Sequence, residues 1–284
     1  NTPDRFDKEM APIQRLERST LIEEENTAAY VQLNIKEEMW SANAGVRWIN
    51  TDLTSSGHET SPSILVPVKD NAGVESSTNY SLKETVAVPV SYDASYDDIL
   101  PSANVIIDIS ENSKLRVSAS KTITRPSMTD MGTGTTWEIG AGFPKLRTNG
   151  NPYLKPVKSN NFDVSYEWYG DNGFSASAAL YYKDISDWIF DGSRLITYTI
   201  PEFKEIGGQP EFNVTKTWNA GAPLNGDTAE LNGVELAVQK IFDNGIGLQA
   251  NYTFADTSSS TTVNGVKVDG ELDGVSQNTY NLVA

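Results

Sequence analysis

The sequence predicts an all-β fold, an antiparallel transmembrane β-barrel, and three observations predict it. Long runs alternate apolar and polar residues, the links between runs are by turns short and long, and aromatic side chains collect near the strand ends of the apolar face. Alternation with period two marks a strand whose two faces meet different surroundings. The unequal links are those of outer-membrane barrels, which have tight periplasmic turns and long outer loops.

The first clear run, residues 27–36, puts Ala29, Val31, Leu33 and Ile35 on one face and Tyr30, Gln32 and Asn34 on the other. The next sets Trp40, Ala42, Ala44, Val46 and Trp48 against Ser41, Asn43, Gly45 and Arg47. Five more follow. Leu115, Val117 and Ala119 oppose Arg116, Ser118 and Ser120; Phe162, Val164, Tyr166 and Trp168 oppose Asn161, Asp163, Ser165 and Glu167. Phe174, Ala176, Ala178, Leu180 and Tyr182 oppose Ser175, Ser177, Tyr181 and Lys183. The last two carry Val234, Leu236 and Val238, then Ile246, Leu248, Ala250, Tyr252 and Phe254. Strands of about ten residues exceed the ~5–6 usual in soluble sheets, and no run shows a helical period.

Four links are short, at residues 37–39, 111–113, 170–173 and 243–245. The last two pair Asp and Asn with Gly, as hairpin turns needing positive φ do. Between them lie long links of roughly residues 52–98, 125–158, 191–228 and 257–275, far beyond the ~12–15 residues an ordinary domain tolerates in a loop. Aromatics at period two also suit a soluble sandwich core, but neither the link asymmetry nor the polar opposite face does.

Composition narrows the function classes. With 22 Lys+Arg against 38 Asp+Glu the net charge is −16, the wrong sign for a nucleic-acid partner. Cysteine is absent and His58 is the one histidine, which excludes disulfides, thiolate chemistry and a two-histidine zinc motif. No apolar run reaches the ~18 residues of a transmembrane helix. The mean hydropathy of −0.40 does not argue against membrane strands, because their two faces average out. The polar opening Asn1-Thr2-Pro3-Asp4 is that of a mature or excised chain rather than a signal peptide.

Enzymatic readings are weak. The carboxylate pairs Asp97/Asp98 and Asp184/Asp187 are what chance supplies among 38 acidic residues, and His58 sits in a polar stretch unsuited to a triad. Gly132-Thr133-Gly134 lacks the following lysine of a phosphate cradle. The acidic cluster around residues 93–98 lacks calcium-loop spacing. No catalytic residue, metal or cofactor is expected.

An ordered series of phrases carries a resemblance. It starts with Tyr96-Asp97-Asp98-Ile99-Leu100-Pro101-Ser102-Ala103-Asn104, then runs from Leu115 through Thr124-Arg125-Pro126 to Gly150-Asn151-Pro152-Tyr153-Leu154-Lys155-Pro156. Asn161-Phe162-Asp163-Val164 and Leu231-Asn232-Gly233-Val234-Glu235 complete it. In this order they resemble the β-barrel of TonB-dependent outer-membrane receptors, closest to a proteobacterial branch many of whose members import oligosaccharides. The resemblance covers residues 27–284, with residues 1–26 expected as a polar lead-in. It implies about nine or ten strands of a larger plugged barrel, whose full form has 22 strands. The plug, the TonB-contacting segment and the closing strands of the family are not among these residues, so the chain is expected to be a portion of a longer polypeptide.

The resemblance further implies a bacterial outer-membrane receptor that takes up a scarce ligand with energy delivered through TonB. Carbohydrate is the favoured ligand and an iron–siderophore the second. Implied partners are the TonB complex, outer-membrane lipid, a small molecule or oligosaccharide, and a surface lipoprotein as a further candidate. A passive porin and a soluble carbohydrate-binding β protein are the rival classes. The candidate ligand-binding residues are the loop aromatics Trp137, Phe143, Tyr153, Trp188, Tyr198 and Trp218, with Arg116 and Glu167 on the polar face. Aromatic faces stack on sugar rings while amides and carboxylates take the hydroxyls. The same aromatics also suit packing within folded loops. Arg116 and Glu167 equally suit a transport path, a plug contact or a mutual salt bridge.

Overall fold

The computed structural model describes residues 19–62, 65–69, 73, 75–82, 85–138, 145–148, 150–171, 173–202, 212–263 and 265–284. They form sixteen strands and no α-helix. Nine strands make the wall: β1 (Leu21–Lys36), β2 (Trp40–Pro62), β5 (Thr85–Ser110), β6 (Ser113–Thr124), β9 (Val157–Gly170), β10 (Phe174–Ser186), β13 (Thr228–Ile241), β14 (Gly247–Val263) and β16 (Asn278–Val283). They pair antiparallel in that order, as a sheet of consecutive hairpins must. The short links are the expected turns; at one of them Gly245 takes φ 83° and donates to the Phe242 carbonyl at 2.9 Å.

The register aligns the faces. Val31 sits opposite Val46, Val105 opposite Val117, Val117 opposite Val164, and Val164 opposite Leu180. Leu180 meets Val234, and Tyr252 meets Tyr280. One face of the wall is therefore apolar across all nine strands, and its large side chains are exposed, as a lipid-facing surface requires. The opposite, lumenal face runs through Asn43, Asn104, Ser118 and Asp163. A one-residue slip anywhere would turn a polar row into lipid, so the pattern itself pins the register.

β1 begins six residues before the alternation becomes legible at residue 27, because Glu23, Glu24 and Glu25 interrupt it. The long links differ from expectation more deeply. β2 and β5 stay paired up to Pro62 and Thr85, so most of residues 52–98 is strand rather than loop. Residues 191–228 are largely a hairpin, β11 (Ile189–Glu202) with β12 (Phe212–Asn225). Smaller hairpins, β3 (Leu65–Lys69) with β4 (Glu75–Leu82) and β7 (Thr135–Glu138) with β8 (Lys145–Thr148), occupy two other links, and β15 (Val266–Gly270) pairs back antiparallel on the end of β14. Above the membrane neither face meets lipid, so sequence alternation fades while backbone pairing continues.

Candidate functional site

The outer layer is folded inward. β7 meets the edge of β2 above the start of β1, at Glu59 opposite Thr135, and β8, β12, β11, β3 and β4 follow in order. The inward-facing Ser55 of β2 donates to the Met131 carbonyl at 3.0 Å, and Thr60 donates to that of Thr135. Leu53, Met131 and Leu154, each at most 4% exposed, form the core beneath this segment, with Ile22, Ala94 and Ile189 packed around them. Residues 127–135 and 150–156 therefore cover the lumenal side of β2 at the outer mouth.

Arg125 ties this cover to the wall. Its Nη2 donates to Asn26 Oδ1 at 2.6 Å and to Thr51 Oγ1 at 3.2 Å, and its Nε lies 3.4 Å from Glu24. Two asparagines tie the cover to the β11–β12 hairpin. Asn151 Nδ2 donates to the Pro223 carbonyl at 3.1 Å, and Asn225 Nδ2 to those of Lys155 (3.0 Å) and Asp187 (2.8 Å).

The predicted site residues fall into separate places. Tyr153 is at the mouth, 59% exposed, with its ring edge-on to Tyr92 at 5.3 Å. The Tyr92 hydroxyl donates to Glu59 Oε1 at 2.8 Å; burial first, and then that carboxylate, push its pKa up to about 12. Trp188 is half-buried against Phe190 at 5.0 Å and donates to the Ser260 carbonyl at 3.5 Å. Trp218 is 5% exposed and belongs to the packed face of β12. Arg116 and Glu167 stand together on the lumenal wall: Nε donates to Oε1 at 2.7 Å, Nη2 to Oε2 at 3.2 Å, and Tyr169 adds its hydroxyl to Oε2 at 2.8 Å. This is the mutual salt bridge among the three expected roles. Trp137 lies on β7 and Tyr198 on β11, with side chains outside the described residues, as is the whole of Phe143.

A cleft of about 500 Å³ opens between the cover and the β11–β12 hairpin. Asp130, Leu146, Thr148, Asp191, Asn219 and Gly221 are among the residues that line it. None of these is a site residue expected from the sequence; pairing residues 191–228 as a hairpin sets Asp191 opposite Pro223. Among the described residues no three His, Asp or Glu side chains are grouped to hold a metal.

The model of the family described as TonB dependent receptor-like, beta-barrel, matches residues 3–284. The chain belongs to the TonB-dependent receptor family. It is thus an outer-membrane β-barrel protein. No curated protein matches it in sequence. Among solved structures it is similar to the hemophore receptor HasR of Serratia marcescens, a double mutant in complex with its hemophore HasA and heme. That likeness has a TM-score of 0.55 and 15% identity, over 91% of this chain and 39% of that one. It is also similar to the ferric-catecholate import receptor Fiu of E. coli K12 (TM-score 0.51, 14% identity, 84% and 29% covered). A third is the siderophore receptor PiuA of Acinetobacter baumannii (0.50, 12%, 92% and 31%). These likenesses are of fold. The chain spans about a quarter to two-fifths of the solved receptors it matches.

Within this TonB-dependent receptor the recognised phrases have physical duties. In the 96–104 phrase Asp97 accepts from the girdle Trp48 Nε1 at 3.1 Å, and the buried Asp98 pairs with Lys158 Nζ at 2.7 Å. Pro101 stands just past Ser102, where the β5–β6 ladder ends, a place that lacks no donor. In the 150–156 phrase a Cβ on Gly150 would come within 2.7 Å of the Gly132 nitrogen, while Asn151 accepts from Tyr153 N at 3.1 Å. Gly233 lies inside β13 and makes room for the Tyr181 ring laid across it. These residues are scaffold.

Proposed function

We propose that this chain is the ligand-admitting barrel portion of an outer-membrane active transporter. A scarce ligand is captured at the outer mouth, and energy delivered through the TonB complex moves the plug that closes the lumen. The observation that carries this reading is the family match over residues 3–284. The polar lumenal face and the inward-folded outer layer support it, since both shape a wet, gated passage rather than a dry core. Transport, not catalysis, is the activity expected of it.

Carbohydrate is the favoured ligand, on the resemblance of the phrases to the oligosaccharide-importing branch. An iron chelate is the second reading, favoured by the heme and ferric-catecholate ligands of the solved receptors of similar fold. A surface lipoprotein is a candidate partner. The test is growth and uptake of labelled ligand in cells with and without TonB. Uptake that vanishes without TonB supports the transporter; uptake that persists, with ion conductance in a planar bilayer, would replace it with a passive porin. Induction of the receptor by a sugar supports carbohydrate, whereas repression by iron supports the chelate.

A further inference from the structure

We propose that the free edge of β5 between Pro89 and Pro101 is a docking edge, which an extended strand of a surface partner protein joins by β-pairing with basic residues on its outward side. This stands apart from the transport reading, and three observations carry it.

The first is a parting of the wall. β5 pairs with β2 without interruption from Ile107 to Thr85, but with β6 only between Ser110 and Ser102. Beyond Ser120, β6 goes on to Thr124 beside β9 alone. Lys158 Nζ, 2.7 Å from Asp98, ties β9 to β5 at the foot of the gap. Above it, among the described residues, no backbone bond other than the β2 ladder reaches residues 85–101. Trp48 of the girdle lies opposite Ile99, so residues 89–97 stand in water above the outer leaflet. The wall has β1 and β16 as its outermost strands, so further wall strands add there and leave this edge uncovered.

The second is the direction of the backbone. Asp108 N donates to the Met39 carbonyl at 2.8 Å, which marks a hydrogen-bonded pair, and in an antiparallel ladder such pairs alternate with non-bonded ones. Along the unbroken register, even-numbered residues of β5 turn N–H and C=O to β2, and odd-numbered ones turn them to the other edge. Pro89 and Pro101 both fall on odd positions, where a missing N–H takes no bond from the β2 ladder. Between them, Ser91, Asp93, Ser95, Asp97 and Ile99 keep backbone donors and acceptors unpaired among the described residues. An unpaired edge is a template for another strand, and the two prolines bound its register.

The third is charge. The odd residues of β5 carry the outward-facing side chains, and the register continues that face through Asn50, Asp52 and Thr54 of β2 to Glu23, Glu25 and Thr27 of β1. Asp93, Asp97, Asp52, Glu23 and Glu25 are all exposed, and none of these positions holds a Lys or Arg. Two copies pairing edge to edge would set one acidic face beside another, which cross-strand repulsion opposes. A strand with Lys or Arg at alternate positions is favoured instead, the ladder giving affinity and the side chains specificity. Its remaining side chains lie on the inner side, with Tyr92 and Tyr96.

The test uses the full-length receptor in lipid nanodiscs and three fluorescein-labelled peptides. They are Thr-Lys-Val-Lys-Val-Lys-Thr, its counterpart with Glu for Lys, and its counterpart with Pro for Val, which keeps the charge but cannot pair. Fluorescence anisotropy should show the first binding and the other two at least tenfold weaker. Hydrogen exchange should show residues 91–99 protected when the first peptide is bound. Ser95→Pro, which removes the central donor of the edge without changing charge, should weaken binding tenfold or more, as should Asp93→Asn with Asp97→Asn. Heat-modifiable gel mobility confirms that the variants are folded, and the proline peptide and the exchange measurement decide the matter without them. No binding, equal binding of the proline peptide, or binding that leaves residues 91–99 unprotected overturns the inference. So does protection of those amides in the receptor alone, which would place its own chain on the edge. A dimer of the receptor that Ser95→Pro dissolves overturns it too, by placing a second copy there.

Discussion

The wall and the outer layer are both antiparallel sheet, yet they are held by different physics. In the wall, most strands pair over twelve or more registers and the large apolar side chains face outward; the ladder and the lipid do the stabilising. In the layer, single bridges such as Glu202 opposite Leu65 and Gly221 opposite Arg147 join hairpin to hairpin. What holds it is a small buried core and side-chain amides aimed at carbonyls. The wall is specified by repetition, the layer by particular residues. A ligand site with its own chemistry is thus expected in the layer, where changing a few side chains leaves the ladder intact.

Four sets of substitutions would break or sharpen this contrast. The largest effect is expected for Leu154→Ala, which removes one of the three buried side chains of the layer core and should cost about 2–5 kcal/mol. The loss should be local: residues 126–156 become protease-sensitive while heat-modifiable mobility of the barrel is retained. If that mobility disappears too, the two regions are one cooperative unit.

Next comes Val164→Arg on the lipid face, at about 2–4 kcal/mol for a cation near the bilayer midplane. Folding titrations in lipid vesicles read it directly. Ser177→Arg, on the lumenal face of the neighbouring strand opposite Glu167, should cost under about 1 kcal/mol. Equal losses from both would deny that the two faces meet different solvents.

Gly233→Val should cost about 1–3 kcal/mol by overpacking, since its side chain would meet the Tyr181 ring and the Phe254 carbonyl. Tyr181→Ala in the same chain should recover part of it. A lack of any recovery would trace the cost to the backbone carbonyl instead.

The smallest effect concerns Tyr92, whose pKa burial and Glu59 push up to about 12. Between the ordinary tyrosine value near 10 and about 12 the folded layer keeps a proton that the unfolded chain has lost. Stability from this group is thus full below about pH 10 and falls as pH rises through 12. Absorbance titration near 295 nm should show a late tyrosinate that Tyr92→Phe removes. Glu59→Gln should lower it only in part, because burial is the larger cause.

Much of the wall was legible because lipid on one side and water on the other impose a period that sequence displays. The four tight turns, the facing of Trp48, Val164 and Leu180, and the membership suggested by the 96–104, 150–156 and 231–235 phrases all followed from residues alone. The extended upper strands were not legible. From Thr54 to Pro62 both faces are polar or small, so nothing in the order of residues distinguishes strand from loop. The site residues divided in the same way. Tyr153 and Trp218 read alike in sequence, as aromatics of long links suited to a ligand or to loop packing, yet Tyr153 is exposed at the mouth and Trp218 is buried in the layer. Arg116 and Glu167 could be paired only once β6 and β9 were in register.

By itself, then, the sequence determined the all-β class, the lipid-facing side of each wall strand and the family, since these depend on local alternation and on contiguous phrases. Only the tertiary structure decided that the outer links are hairpins folded over β2, that Arg116 and Glu167 satisfy each other, and that Asp130, Asp191 and Gly221 border one cleft. Those facts join residues about thirty to ninety positions apart through single bridges and side-chain hydrogen bonds. Contacts of that kind leave no period to read.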